Sequence, residues 1–149
     1  LKSLVNVKLL NLVGTKISDR GLAFLKNFKK LEFLALPMQI TDLGTVLESI
    51  KNLEHLELFG SKVKKFRFMH FTFAHLTLRH GVKVRDKTLK NIRNFRNLRS
   101  LNISGTDVTD NCLNYVTNHP LINSLNLQAC RNITPAGLTR ISKQISVNI

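Results

Sequence analysis

Residues 98–116 read L-R-S-L-N-I-S-G-T-D-V-T-D-N-C-L-N-Y-V, and the places where apolar residues fall in this stretch decide the fold. Leu101 and Ile103 stand two apart, the spacing of one face of a strand, so Ser100, Asn102 and Ser104 turn to the opposite, solvated face. Gly105 supplies a turn. Val108 returns to the core, Thr109 caps a helix with Asp110 beside its positive end, and Leu113 and Val116 form the buried stripe of that helix. The unit is strand, turn, short helix, and one such unit cannot cover its own apolar face.

Working outward, the same L-x-x-L-x-L core recurs six times: Val7-Leu10-Leu12, Leu31-Leu34-Leu36, Leu53-Leu56-Leu58, Phe73-Leu76-Leu78, Leu98-Leu101-Ile103 and Ile122-Leu125-Leu127. Successive starts are 24, 22, 20, 25 and 24 residues apart. A period of about 20–29 residues marks stacked units that bury a continuous core between neighbours. The cap recurs as Ser18-Asp19, Thr41-Asp42 and Thr134-Pro135, while Arg85-Asp86 keeps only the acid. Three residues past each strand core stand Thr15, Gln39, Ser61, Gly81, Thr106 and Cys130, and five of these six carry a group that can satisfy backbone atoms buried under the turn. Gly14, Gly60, Gly81 and Gly105 read as turn glycines. The expected fold is α/β: a right-handed leucine-rich repeat solenoid with a parallel concave sheet and short helices on the convex side.

L-N-L-Q-A-C-R-N-I-T-P-A-G-L at 125–138 and L-N-I-S-G-T-D-V-T-D-N-C-L at 101–113 resemble the cysteine-containing leucine-rich repeats related to ribonuclease inhibitor, with Cys130 in that class's cysteine column. The resemblance spans the chain. It implies a recognition solenoid of the kind found in substrate-receptor subunits of ubiquitin ligases, among them F-box and Zyg-11-type proteins.

A chain of 149 residues with 43% hydrophobic content supports one core, so residues 1–149 are expected to form a single domain of about six repeats. Leu1 stands six residues before Val7, as Leu25 does before Leu31, and Ile141 stands six before Val147, where a seventh strand would open at Val147-Asn148-Ile149. Both ends therefore read as lying within repeats, the expectation for a segment of a longer protein. Cys112 and Cys130 do not form the paired clusters that cap secreted repeat proteins, which points to a reducing, intracellular compartment.

The pattern breaks once. Convex segments take 13 or 14 residues from their first core residue to the next strand, but Val63 to Phe73 takes ten, about one helical turn fewer. The stretch K-K-F-R-F-M-H-F-T-F at 64–73 stands there. It reads as an extended segment whose rings fill the space of the missing helix, with a basic-aromatic strip for single-stranded nucleic acid as the sharper alternative and a protein-docking edge as the third.

Alternation assigns Leu9, Val13, Phe33, Ala35, Pro37, His55, Glu57, Phe59, His75 and Arg79 to the first four strands' concave side. This half is apolar where a solvated sheet face is normally polar, so these ten residues form the candidate protein-binding site; cover by another part of the intact protein is the alternative. The later strands present Ser100, Asn102, Ser104, Ser124, Asn126 and Gln128 instead. Net charge is +14, and residues 62–99 hold twelve Lys or Arg against Asp86 alone, which makes +11. Lys62, Lys64, Lys83, Arg85, Lys87 and Lys90 are the candidate anion-binding residues, for RNA or an acidic protein. No nucleophile with a matching base, paired catalytic carboxylates or Gly-rich phosphate loop is evident, and no cofactor or metal is called for. The leading expectation is a non-catalytic protein-recognition module or scaffold. The alternative is a structural subunit docked on RNA or a ribonucleoprotein through 62–99, and neither reading involves a membrane.

Overall fold

The computed structural model describes residues 6–43, 46–60, 62, 72–80 and 84–149. Seven short parallel strands lie side by side in chain order: β1 (Leu9–Asn11), β2 (Phe33–Leu36), β3 (His55–Leu58), β4 (His75–Thr77), β5 (Ser100–Asn102), β6 (Ser124–Asn126) and β7 (Ser146–Asn148). The sheet register aligns Leu10, Leu34, Leu56, Leu76, Leu101, Leu125 and Val147 in one row. The first six are the middle positions of the repeated core, so the spacing read from the sequence is the strand pairing. Val147 aligns with Leu125 and not with Ile122, three positions further into its repeat than its distance from Ile141 predicts. Strand β7 is accordingly Ser146–Asn148, and the buried Ile145 plugs the core behind it.

The convex side is not uniformly α-helical. Leu22, Leu25, Phe28 and Leu31 are all buried at intervals of three, as are Leu47, Ile50 and Leu53, and Leu89, Ile92, Phe95 and Leu98. A period of three is the repeat of a 3₁₀ helix, and 3₁₀ segments are what form at Asp19–Asn27, Leu47–Ser49 and Ile92–Asn94. In the fifth repeat Cys112, Leu113 and Val116 are buried at i, i+1 and i+4, and there an α-helix of eight residues forms. Among the described residues the α-helices are α1 (Asp86–Leu89), α2 (Asp110–Thr117) and α3 (Pro135–Leu138).

Caps behave in two ways. Thr109 Oγ1 accepts from Asn111 N at 3.3 Å and Thr134 Oγ1 from Gly137 N at 3.0 Å, as expected of N-caps, but Ser18 makes no side-chain cap bond. The acids beside the caps turn out to bridge repeats. Asp19 accepts from both the backbone N–H and the hydroxyl of Thr41, Asp86 from those of Thr109, and Asp110 from those of Thr134. A Cβ on Gly137 would overlap the Asp110 carboxylate, so the last of these bridges needs glycine at its place.

The column past each strand satisfies carbonyls as expected. Thr15 donates to Leu12 O, Gln39 to Thr15 O and Ile17 O, and Thr106 and Cys130 both donate to Ile103 O. Ser61 and Gly81 lie outside the described residues. Positive φ occurs at Gly14, Gly60 and Gly105, and in the equivalent places of two other repeats at His80 (51°) and Ala129 (57°). In the fourth repeat the left-handed residue is therefore His80, one position before the expected glycine.

Candidate protein-binding face

The register aligns Leu9, Phe33, His55, His75, Ser100, Ser124 and Ser146 as one row across the seven strands. Parallel neighbours in register project to the same side, so the row changes from an alkyl chain through three rings to hydroxyls. The Phe33 and His55 ring centroids are 6.2 Å apart, and the imidazoles of His55 and His75 stack at 4.1 Å with planes 3° from parallel. Burial, and then the neighbouring His55, hold His75 below the ordinary histidine value of 6.5. At the foot of the row Lys8 and Glu32 form an ion pair at 2.7 Å. That hydrogen bond and the Glu32 charge raise the lysine above its ordinary value.

The second row contains Asn11, Ala35, Glu57, Thr77, Asn102, Asn126 and Asn148. Three of its asparagines serve the scaffold: the side-chain oxygens of Asn11, Asn102 and Asn126 accept from the N–H groups of Val13, Ser104 and Gln128 as each strand turns away.

Two residues assigned to the apolar face do not contribute surface. Ala35 is fully buried, a single methyl between the longer Asn11 and Glu57 in its row. Pro37 is buried at the turn after β2. Phe33, His55, Glu57 and His75 are half-buried and Arg79 is exposed. The exposed apolar side chains at this end are Leu9 (63%), Val13 (46%), Phe59 (44%) and Met38 (58%), the last absent from the sequence reading. Met38 follows a proline at the edge of the core pattern, and its exposure had no periodic signal. The Phe59 ring lies 5.4 Å from that of His80, which in turn covers Gly105: a Cβ there would come within 2.6 Å of His80 Nδ1.

The basic candidates are less concentrated. Lys62 is exposed after β3, and Arg85, Lys87 and Lys90 are exposed at the cap, body and end of α1 on the convex side. Lys64 and Lys83 lie outside the described residues, as does the 64–73 stretch except Thr72 and Phe73. Phe73 is core, its ring 5.3 Å from that of Phe95. Among the described residues no group of three or more His, Cys, Asp or Glu is placed to hold a metal, and no helix is long and apolar enough to cross a membrane.

The buried His119 was not anticipated. It takes the place in the comb Leu113-Val116-His119-Ile122 that Phe28, Ile50 and Phe95 take in their repeats. Its Nδ1 accepts from the N–H groups of Leu121 and Ile122 at 3.2 and 3.3 Å, which leaves the proton on Nε2, 3.2 Å from Phe95 O. Burial lowers its pKa, the Phe95 carbonyl opposes that, and Arg93 adds to it. The three-residue comb was the signal that could have found it.

Comparison with known proteins agrees with this architecture. The family model "Leucine Rich repeat" matches residues 96–111, within the stretch where the sequence reading began. None of the curated proteins matches in sequence. Among solved structures, a secreted internalin-like protein of Listeria monocytogenes superposes with a TM-score of 0.68 at 16% identity, covering 99% of this chain and 54% of that one. A leucine-rich repeat protein of Leptospira interrogans gives 0.60 at 20% identity, with 99% and 38% covered. The chain thus spans about half or less of these two neighbours, and at such identities the likeness is one of fold. The chain has the leucine-rich repeat fold, an α/β solenoid of seven aligned strands backed by 3₁₀ and short α-helical segments.

Proposed function

We propose that this solenoid is a non-catalytic protein-recognition module that binds its partner through the N-terminal half of the concave sheet and the turns at its edge. The observation that carries the reading is the exposure of Leu9, Val13, Met38 and Phe59 beside a half-buried aromatic row, where the later repeats present Ser, Asn and Gln. Repeat solenoids offer such extended surfaces as their usual mode of binding. A substrate-receptor role in an intracellular ubiquitin ligase is the specific version supported by the likeness of residues 101–113 and 125–138 to the ribonuclease-inhibitor class, the chain then being a segment of a longer receptor.

The test is affinity capture by the intact protein with and without nuclease, followed by titration of the captured partner against Phe33→Ala and Phe59→Ala with thermal melts as controls. A nuclease-resistant partner whose affinity falls by about 2 kcal/mol or more on loss of an anchor is expected. Unchanged affinity in both variants overturns the reading. The +11 segment favours the second reading, docking on RNA or a ribonucleoprotein. It requires nuclease-sensitive capture, and a steep salt dependence that flattens when Lys62, Lys64, Lys83 and Arg85 are replaced by Gln.

A further inference from the structure

The ring row on the concave face stops abruptly. Parallel strands stand about 4.8 Å apart, and the His55 and His75 imidazoles stack at nearly that spacing, with their planes facing along the strand-to-strand direction. One face of the His75 ring is covered by His55. The other looks towards β5, where the register partner is Ser100, and beyond it Ser124 on β6. Neither serine has a side chain tall enough to meet the ring, so among the described residues the row breaks off at an open stacking position bounded by His75 and floored by Ser100. Charges near this position are of both signs: Glu54 acts on His75 and Glu57 lies in the second row one strand over, while Arg79 follows β4 and Arg99 directly precedes Ser100, both exposed, on a chain that carries +14.

We infer that the concave face takes an aromatic side chain from an acidic peptide segment of a protein partner, stacked on the open face of His75 above Ser100. Ring stacking supplies the geometry, since offset or parallel rings favour centroid separations of about 4.5–7 Å. On the uncovered side, Arg99 beside Ser100 and the net charge of +14 supply the preference for acidic flanks. The inference rests on the protein-recognition reading above and narrows it to one anchor and one class of partner sequence.

The experiment is selection of random twelve-residue peptides displayed on phage against the wild-type protein, followed by affinity measurement of the enriched peptides. Enriched sequences should share one Tyr, Phe or Trp with Asp or Glu nearby. Ser100→Phe puts a ring into the open position and should weaken those peptides at least tenfold while leaving the melting temperature unchanged. His75→Ala removes the stacking surface and should weaken them about fivefold. No enrichment, enriched peptides without a common aromatic or without acidic flanks, or affinities within twofold of wild type in both variants overturn the inference. Peptides that lack an aromatic yet lose affinity on Phe59→Ala overturn it while leaving the broader concave-face reading standing.

Discussion

Asp110 holds Thr134 at two points, accepting from its backbone N–H at 2.8 Å and from its hydroxyl at 2.6 Å. Thr134 is itself the cap of α3, so one carboxylate beside the start of α2 fixes the start of the next helix. Asp86 repeats the arrangement with Thr109, the cap of α2, and Asp19 makes the same pair of bonds to Thr41. Hydrogen bonds from the Thr134 hydroxyl and N–H hold Asp110 below the ordinary carboxylate value of 3.8. For Asp19 burial pushes upward as the largest single effect, but the bonds from Thr41 and Asp42 together outweigh it and the net direction is down.

Removing one bridge should loosen the stack without unfolding a repeat outright. Asp86→Ala loses two hydrogen bonds to Thr109 and should destabilise the protein by about 1–3 kcal/mol in urea titration. Thr109→Val should cost less when added to Asp86→Ala than alone, because the two residues share the same bonds. Additive losses would show that the bridge contributes nothing. Since Asp19 and Asp110 are lowered, their share of stability is present above the ordinary carboxylate value and is lost as pH falls through the native values.

Ala129 adopts φ of 57° in a column where three repeats place glycine. A left-handed conformation costs a non-glycine residue roughly 1–2 kcal/mol, partly offset by the entropy glycine loses on folding. Ala129→Gly is expected to raise stability by about 0.5–1 kcal/mol, measured by chemical denaturation. His80→Gly should give no such gain, because it also removes the ring set between Phe59 and Gly105.

His119 makes stability depend on pH. Its native pKa lies below the ordinary value of 6.5, so between 6.5 and the native value the unfolded chain takes up a proton that the folded chain refuses. Stability should therefore fall as pH drops below about 6.5, and be flat above it as far as this group is concerned. Phenylalanine fits the same column at Phe28 and Phe95, where the N–H groups of Leu31 and Leu98 bond the backbone carbonyls of those residues instead of a ring nitrogen. His119→Phe should fold and show a shallower acid slope in melts run from pH 8 to pH 5, with His75 retaining part of it. An unchanged slope would assign the effect elsewhere.

Cys112 is buried in α2, and burial, followed by the nearby Asp86, pushes its thiol up to about 12. At pH 8 almost none of it is thiolate, the reactive form. Its labelling by a thiol reagent should proceed only through unfolding, with a rate that rises in urea in step with the loss of structure. Fast labelling of the native protein would contradict the buried placement.

How much of this could be read beforehand depended on the interval at which residues repeat. The row from Leu10 to Leu125 lay open in the sequence because strand residues alternate and every repeat contributes the same triad. The 3₁₀ segments were less visible: Leu22, Leu25, Phe28 and Leu31 are also compatible with an amphipathic helix, and the same spacing of three at Leu113, Val116, His119 and Ile122 accompanies α2, where the additional buried Cys112 marks the difference. The bridge from Asp110 to Thr134 was missed because an acid beside a cap already has a local explanation in the helix dipole. Ala35 and Pro37 were misjudged because alternation gives the direction of a side chain but not the height of its neighbours. Met38 depended on neighbouring strands, which no single repeat encodes, whereas His55 and His75 hold equivalent positions in successive repeats, so their adjacency was legible and only the stacking of their rings was not.

The row from Leu9 to Ser146 also has a polarity of its own. Six gaps of about 4.8 Å make a track of roughly 29 Å that is oily at one end and rich in hydroxyls at the other, with a pair of stacked imidazoles near its middle. A ligand laid across the strands would meet these chemistries in a fixed order. Reversing it end for end would set its greasy part on serines and its polar part on Leu9 and Phe33, so the scaffold distinguishes the two directions of a bound chain before any individual contact is optimised.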